Sequence, residues 1–192
     1  DEHLEAFVNL SGTLLGVPKA MPALMTGEMR DTVQAPAMLA YLLERFFSAQ
    51  ERAELFRSWA GSASLIPKGG NAVWGDEHGA PDDLANATKT HGIMMEYAER
   101  HSHGNETRPS RKLSVDEVHP WLRMHGDKHF QKMLHSNYSF GIERDPAQIQ
   151  ANNADPTKWT NPLEVALPYA PNMKIYCVYG WNQPTERSYW MR

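Results

Sequence analysis

The sequence has a single cysteine, no run of apolar residues long enough to cross a membrane as a helix, and no cluster of basic residues. One cysteine cannot form a disulfide within the chain, and a spanning helix needs about 20 consecutive apolar residues. The 192 residues carry 23 acidic and 19 basic side chains, a net charge of -4. This balance argues against a nucleic-acid groove, so no nucleic-acid partner is expected.

What the chain does contain is typical of a globular protein, with 41% hydrophobic residues. Two segments predict β-strands: residues 5–10 (EAFVNL) run into the loop SGTLLG, and residues 173–179 are rich in Ile, Tyr and Val and end at Gly180. Because its neighbours are apolar, we expect Cys177 in the second strand to be a buried, inert thiol. Most of the chain separates the two strands, which predicts that they belong to a larger sheet and that the chain is part of a longer protein.

Helices are predicted between these strands. Residues 35–59 have apolar side chains at helical spacing, with an interruption at residues 48–50 and an end at Gly61. Residues 91–101 (HGIMMEYAERH) also predict a helix, with apolar side chains on one side.

A further helix is predicted to begin at residues 114–117, because SVDE fits a capping box. We expect Pro120 and Gly126 to interrupt it before the segment KHFQKML. Residues 64–83 are too rich in Gly and Pro for a long regular element, and the polar residues 145–172 predict a surface loop.

Nine histidines raise the question of a metal site. His101 and His103 are close together, and His125 and His129 have the spacing that would place both rings on one face of a helix. The second pair copies the spacing of a metalloprotease motif, but Gly126 stands where that motif needs a glutamate. The pattern favours surface or core histidines, and no metal is expected.

The two other catalytic or binding motifs that we sought are absent. The segment PKGGNAVWG contains the ingredients of a phosphate loop, but Lys68 precedes the glycines instead of following them. No G-x-S-x-G elbow occurs, since Ser11 and Ser62 both lack glycines two residues before and after them. Neither serine is therefore a convincing nucleophile.

Four N-x-S/T sequences, at Asn9, Asn86, Asn105 and Asn137, indicate a secretory-pathway lumen. Asn9 lies in a predicted strand and is expected to be a poor acceptor. The methionine and aromatic residues from position 21 to position 59 have two interpretations: they pack a core, or they form a cap surface that accommodates an acyl chain.

Four segments, in this order and spacing, resemble one family: FVNLSGTLLGVPKAMPALMTGEMRDT, SLIPKGGNAVWGD, NPLEVALPYAPNMKIYCVYG and PTERSYW. They resemble the fungal phospholipid:diacylglycerol acyltransferases within the lecithin:cholesterol acyltransferase-like lipases. The resemblance implies a protein of the α/β class, a partial α/β-hydrolase fold in which two sheet strands flank a helical and loop cap insertion. Residues 1–16 would form a core strand and loop, residues 17–172 mainly the cap, and residues 173–192 a late core strand and turn.

The resemblance also implies an activity, the transfer of a fatty acyl group from the sn-2 position of a phospholipid to diacylglycerol, without a cofactor. The parent protein is expected to face the lumen of the endoplasmic reticulum and to be anchored in its membrane by a segment outside this chain. The family's catalytic serine would lie upstream of this chain and its aspartate and histidine downstream, so we expect no catalytic residue here and no activity from the chain alone.

Weaker roles carry over to a few residues. Ser11, Gly12 and Thr13 would line the substrate pocket beside the nucleophile, Trp74 would face lipid, and residues 179–180 would lead towards the acid. Three alternatives stay open: a related phospholipase A, a sterol O-acyltransferase, and a non-catalytic lipid-binding cap module.

Overall fold

The computed structural model describes residues 3–28, 41, 45–98, 110–181 and 185–191, which form a mixed α/β structure. The strands are β1 (Ala6–Leu10), β2 (Met95–Tyr97), β3 (Arg111–Leu113), β4 (Lys174–Val178) and β5 (Tyr189–Met191). The helices are α1 (Ala20–Thr26), α2 (Ala49–Ser58), α3 (Ala60–Ser64), α4 (Gly70–Trp74), α5 (Val115–His125), α6 (Lys128–Asn137) and α7 (Pro146–Asn152), followed by a 3-10 turn (Pro156–Lys158).

The two predicted strands are confirmed and lie side by side. β1 and β4 pair in parallel, with Ala6 opposite Lys174 and Leu10 opposite Val178. Within the described residues their side chains stay exposed on both faces of the pair, although parallel strands are normally covered on both. Cys177 is therefore exposed, and the prediction of a buried thiol is wrong. Its apolar neighbours correctly indicated a strand, but nothing described here packs over that strand.

A second sheet, which the sequence did not predict, has the strand order β3-β2-β5. Met95 in the central strand pairs antiparallel with Leu113 and parallel with Tyr189. The prediction of a helix over residues 91–101 is wrong where the structure describes them, and residues 99–101 lie outside the described part. The local spacing suits a helix, but pairing with two distant strands decides the outcome.

One apolar core lies between the second sheet and helices α1, α5 and α6. Its fully buried members come from elements that are far apart in the chain, and the largest are Met21, Leu24, Ile66, Met94, Met95, Leu113, Leu122, Phe130 and Leu134. Met21 and Leu24 therefore fit the core-packing interpretation of the segment from position 21 to position 59. Tyr41, Phe46 and Trp59 are exposed and fit the cap-surface interpretation, and residues 29–40 and 42–44 lie outside the described residues.

Helix α2 begins where the interruption at residues 48–50 was predicted. Ser48 and Glu51 form a capping box: the Glu51 N–H donates to Ser48 Oγ at 3.3 Å, and the Ser48 N–H donates to Glu51 Oε2 at 2.8 Å. Gly61 does not end the helical segment as predicted. It lies within the short helix α3, because the chain turns at Trp59, in extended conformation, and then resumes a helical path.

Helix α5 begins with the predicted capping box of Ser114 and Glu117, but Pro120 does not interrupt it. Proline has no backbone N–H, so Pro120 removes one hydrogen bond from the helix. Burial of the apolar face formed by Val115, Val118 and Leu122 compensates for the lost hydrogen bond. Helix α5 ends at His125, immediately before Gly126 as predicted, and α6 starts afresh at Lys128.

The predicted loop at residues 145–172 is partly structured. Asp145 caps α7 by accepting the N–H of Ala147 at 3.0 Å, and Pro146 occupies a position at which a helix tolerates a missing N–H. The helix is anchored by the buried Asn152, whose side-chain amide donates to Glu164 O at 2.7 Å. The segment 64–83, in contrast, contains no long regular element, as predicted: its helical residues are Ser64, which ends α3, and the five residues of α4.

Candidate functional site at the end of the parallel strands

The carboxyl ends of β1 and β4 meet at one edge, which is where ligands gather in open parallel sheets. The Ser11 N–H donates to Val178 O at 2.7 Å and so extends the pairing by one bond. Ser11 then adopts a left-handed backbone conformation with φ 52°. A residue other than glycine is uncommon there, and such strain concentrates at functional sites. The strained turn is the first indication of a site at this edge.

The turn is closed by a side chain from the strand itself. Asn9 Oδ1 accepts the N–H of Gly12 at 2.9 Å. A Cβ on Gly12 would lie 2.2 Å from that same oxygen, so a larger residue here would displace the Asn9 side chain from the turn. Ser11, Gly12 and Thr13 are thus brought together on an exposed loop, as the sequence indicated, and their contact with substrate stays a prediction.

We expect Ser11→Gly to stabilise the protein by about 1 kcal/mol, because glycine adopts the left-handed conformation without strain. If the strain orients this loop for substrate, the same variant will lower activity. The free energy of unfolding and the acyl-transfer rate are both measured on the full-length protein, for the wild type and for Ser11→Gly. A destabilised variant would show that the serine side chain holds the turn in place and that the backbone stores no strain.

The loop is anchored to the PKGG segment. Val17 N–H donates to Leu65 O, and Lys68 N–H donates to Leu15 O, both at 2.9 Å. Gly16 lies between these bonds with φ 86°, where an added Cβ would be 2.6 Å from the carbonyl oxygens of both Leu65 and Ile66. The position of the exposed turn therefore depends on this close backbone approach.

Lys68 supports the junction from inside. Its side chain is fully buried and its ammonium donates to Ser64 O, while burial lowers the pKa of Lys68 below its ordinary value. The Gly69 N–H donates to Phe140 O at 2.8 Å and fixes the segment against the chain after α6. The ammonium is directed into the protein, which agrees with the rejection of a phosphate loop.

His119 is a partly buried polar residue that sequence reasoning missed. It lies on α5 beside the apolar positions of that helix. Its ring packs at a tilt against Phe140, with 4.6 Å between the ring centroids, and its Nε2–H donates to Pro67 O at 2.8 Å. Burial lowers the pKa of His119 to about 4, so the ring is neutral near pH 7. In the sequence, its position next to the apolar residues of a predicted helix was the one sign that His119 would be covered by other residues.

Trp74, predicted to face lipid, has well-defined protein contacts. Its indole Nε1–H donates to Lys68 O at 2.7 Å, and the guanidinium of Arg187 lies 4.8 Å from the ring centroid. Arg187 also donates to Trp74 O at 2.9 Å and to Asp82 Oδ1 at 3.0 Å. These contacts give Trp74 a packing role, and its contact with lipid stays a prediction.

The described residues contain no group of three or more His, Cys, Asp or Glu side chains placed to hold a metal ion. His125 ends α5 and His129 lies in α6, so the expectation that they share one helix face is wrong, since Gly126 separates the two helices. His101 and His103 lie outside the described residues. Among the helices that the structure describes, none is long and apolar enough to cross a membrane.

Comparison with known proteins gives a family match over the full chain. Residues 1–192 match the family described as lecithin:cholesterol acyltransferase. The chain is 43% identical over 190 residues to the phospholipid:diacylglycerol acyltransferase of Schizosaccharomyces pombe, covering 99% of this chain and 29% of that protein. It is 40% identical over 194 residues to the Saccharomyces cerevisiae protein of the same name, covering 98% of this chain and 28% of that protein.

A plant relative is more distant. Phospholipid:diacylglycerol acyltransferase 1 of Arabidopsis thaliana is 25% identical over 253 residues, covering 98% of this chain and 37% of that protein. No solved structure matches the chain. The chain thus spans less than a third of the length of the two yeast relatives.

Proposed function

Because this chain belongs to the lecithin:cholesterol acyltransferase family, we propose that it forms part of a phospholipid:diacylglycerol acyltransferase. The observation that carries the proposal is its 40–43% identity to two yeast proteins of that name over 98–99% of this chain. The reaction would move an acyl group from the sn-2 position of a phospholipid to diacylglycerol, forming triacylglycerol and a lysophospholipid. No cofactor or metal is needed for that chemistry.

We propose an α/β-hydrolase fold for the longer protein. The parallel pair β1 and β4 supports this, since its exposed apolar side chains, such as the consecutive Phe7 and Val8, need covering layers on both faces. Residues 1–16 and the β4 segment would belong to that central sheet, and residues 17–172 mainly to a cap. β5 pairs with β2, so the strand at the end of residues 173–192 lies in the second sheet.

The mechanism would proceed through an acyl-enzyme. A serine outside this chain attacks the ester carbonyl, a histidine takes its proton and passes it to the departing lysophospholipid, and an aspartate orients the histidine. The hydroxyl of diacylglycerol then attacks the acyl-enzyme, and its proton passes through the histidine to the regenerated serine. This chain would place the Ser11–Thr13 turn at the sheet edge beside the nucleophile, and its cap would exclude water.

For the location, we propose the lumenal side of the endoplasmic reticulum, with attachment to the membrane through a segment outside this chain. Asn86 and Asn137 support a lumenal environment, because both are exposed acceptor sequences. Asn9 is already bonded to the Gly12 N–H, which supports its assignment as a poor acceptor. Asn105 lies outside the described residues.

A second candidate acceptor is a sterol, since the name of the matching family, lecithin:cholesterol acyltransferase, includes a sterol acceptor. The purified full-length protein, given phosphatidylcholine with equal amounts of diacylglycerol and sterol, is expected to make triacylglycerol as its main product. If sterol ester is the main product, the protein is instead a sterol O-acyltransferase. If free fatty acid is the main product, the protein is a phospholipase A.

A further inference from the structure

An open groove of about 540 Å³ lies along the second sheet. Its volume is within the range of small-molecule sites. The lining residues that matter here are Glu77, Lys89, Thr90, Glu96, Lys112 and Trp190. We call this feature the outer groove.

Strand register places the main side chains of the outer groove in one row. Glu96 is directly opposite Lys112 on β3 and Trp190 on β5. The preceding pair, Met95 and Leu113, is fully buried in the core. Because successive side chains in a strand point to opposite faces, the row of Lys112, Glu96 and Trp190 lies on the outer face of the sheet.

The charges of the outer groove balance each other. Lys89 and Lys112 supply two cations, and Glu77 and Glu96 supply two anions. A site for a simple anion would carry an excess of positive charge, whereas this arrangement suits a ligand that has both signs. Glu96 is held in place by the hydroxyl of Ser110, which donates to its Oε1. Trp190, 58% exposed, adds an aromatic surface on which an alkylammonium group can rest.

We propose that the outer groove binds the zwitterionic headgroup of a phospholipid, a phosphate diester joined to an alkylammonium. Lys112 and Lys89 would bind the phosphate, and Glu96 with the Trp190 ring would bind the ammonium. The proposal rests on the function proposed above and deepens it, because it assigns recognition of the phospholipid headgroup to the second sheet. The site would select zwitterionic phospholipids over anionic ones.

The test compares two charge-removing variants in the full-length protein on mixed micelles of phosphatidylcholine or phosphatidylglycerol. Lys112→Gln is expected to raise the apparent KM about fivefold for both lipids, because both carry the phosphate. Glu96→Gln is expected to raise it about threefold for phosphatidylcholine and to leave phosphatidylglycerol unchanged or improved, since only the former carries the ammonium. The kcat is expected to stay unchanged in both variants.

Lys132→Gln and Glu54→Gln are matched controls on the exposed faces of α6 and α2. We expect these two variants to leave the apparent KM unchanged for both phosphatidylcholine and phosphatidylglycerol. The proposal is overturned if Lys112→Gln and Glu96→Gln behave like these controls. Equal effects of Glu96→Gln on the two lipids would also overturn it, since a merely structural change would not distinguish the headgroups.

A binding measurement keeps the proposal testable if a variant does not fold or if no acyl transfer is found. By calorimetry, the wild-type protein is expected to bind glycerophosphocholine at least about fivefold more tightly than glycerol phosphate. Equal affinities would overturn the headgroup site. A protein that makes no triacylglycerol yet prefers glycerophosphocholine would contradict only the proposed function.

Discussion

Gly16→Ala is expected to destabilise the protein by about 3 kcal/mol, through left-handed backbone strain and overpacking together. Gly16 has φ 86°, and an added Cβ would lie 2.6 Å from two backbone carbonyl oxygens. These oxygens belong to Leu65 and Ile66, and Ile66 is fully buried, so its backbone cannot move without disturbing the core. We also expect the displaced Ser11–Thr13 turn to lose most of its contribution to activity.

The matched control is Gly61→Ala, because a Cβ at Gly61 meets nothing within 4 Å and the residue lies in helix α3. Alanine there is expected to stabilise the protein by about 0.5–1 kcal/mol. Both free energies of unfolding are measured by chemical denaturation. Equal effects of the two substitutions would show that the close approach at Gly16 does not hold the loop.

The second large effect is a loss of stability in acid that depends on His119. Burial lowers its pKa from 6.5 to about 4 in the folded protein, whereas the unfolded chain keeps the ordinary value. The unfolded state therefore binds more protons between these two values, and stability falls as the pH falls from about 6.5 towards 4. The expected loss from this one residue is about 3 kcal/mol.

His119→Gln is expected to remove most of this pH dependence, because glutamine does not titrate and can still donate to Pro67 O. The measurement is the free energy of unfolding from pH 7 to pH 4. Replacing His135, which is exposed on α6, by glutamine is the control and should leave the wild-type slope. If His119→Gln also keeps that slope, another group causes the loss.

Local signals predicted several elements correctly. The capping box at Ser114 correctly predicted the start of α5. Short apolar segments bounded by small residues correctly predicted β1 and β4. The predicted loop residues Ser11, Gly12 and Thr13 do follow β1 at the sheet edge. Residues that come directly after a strand in the sequence must lie at the end of that strand, so a correctly predicted strand also locates the loop. These features depend on neighbours within a few positions.

The remaining features depend on distant contacts. The segment around Met95 has helical spacing, yet it forms a strand because β3 and β5 provide partners. Helix α5 continues past Pro120 because its opposite face is buried in the core. The exposure of Cys177 and the burial of His119 are set by what packs against them, which local patterns do not record.

The fate of one labelled acyl chain distinguishes the proposed acyl transfer from hydrolysis and from sterol esterification. The full-length protein is incubated with diacylglycerol and phosphatidylcholine labelled in its sn-2 acyl group. We predict label in triacylglycerol, with one lysophosphatidylcholine formed for each triacylglycerol. Label released as free fatty acid, or transferred only to sterol, would show that the protein is not a phospholipid:diacylglycerol acyltransferase.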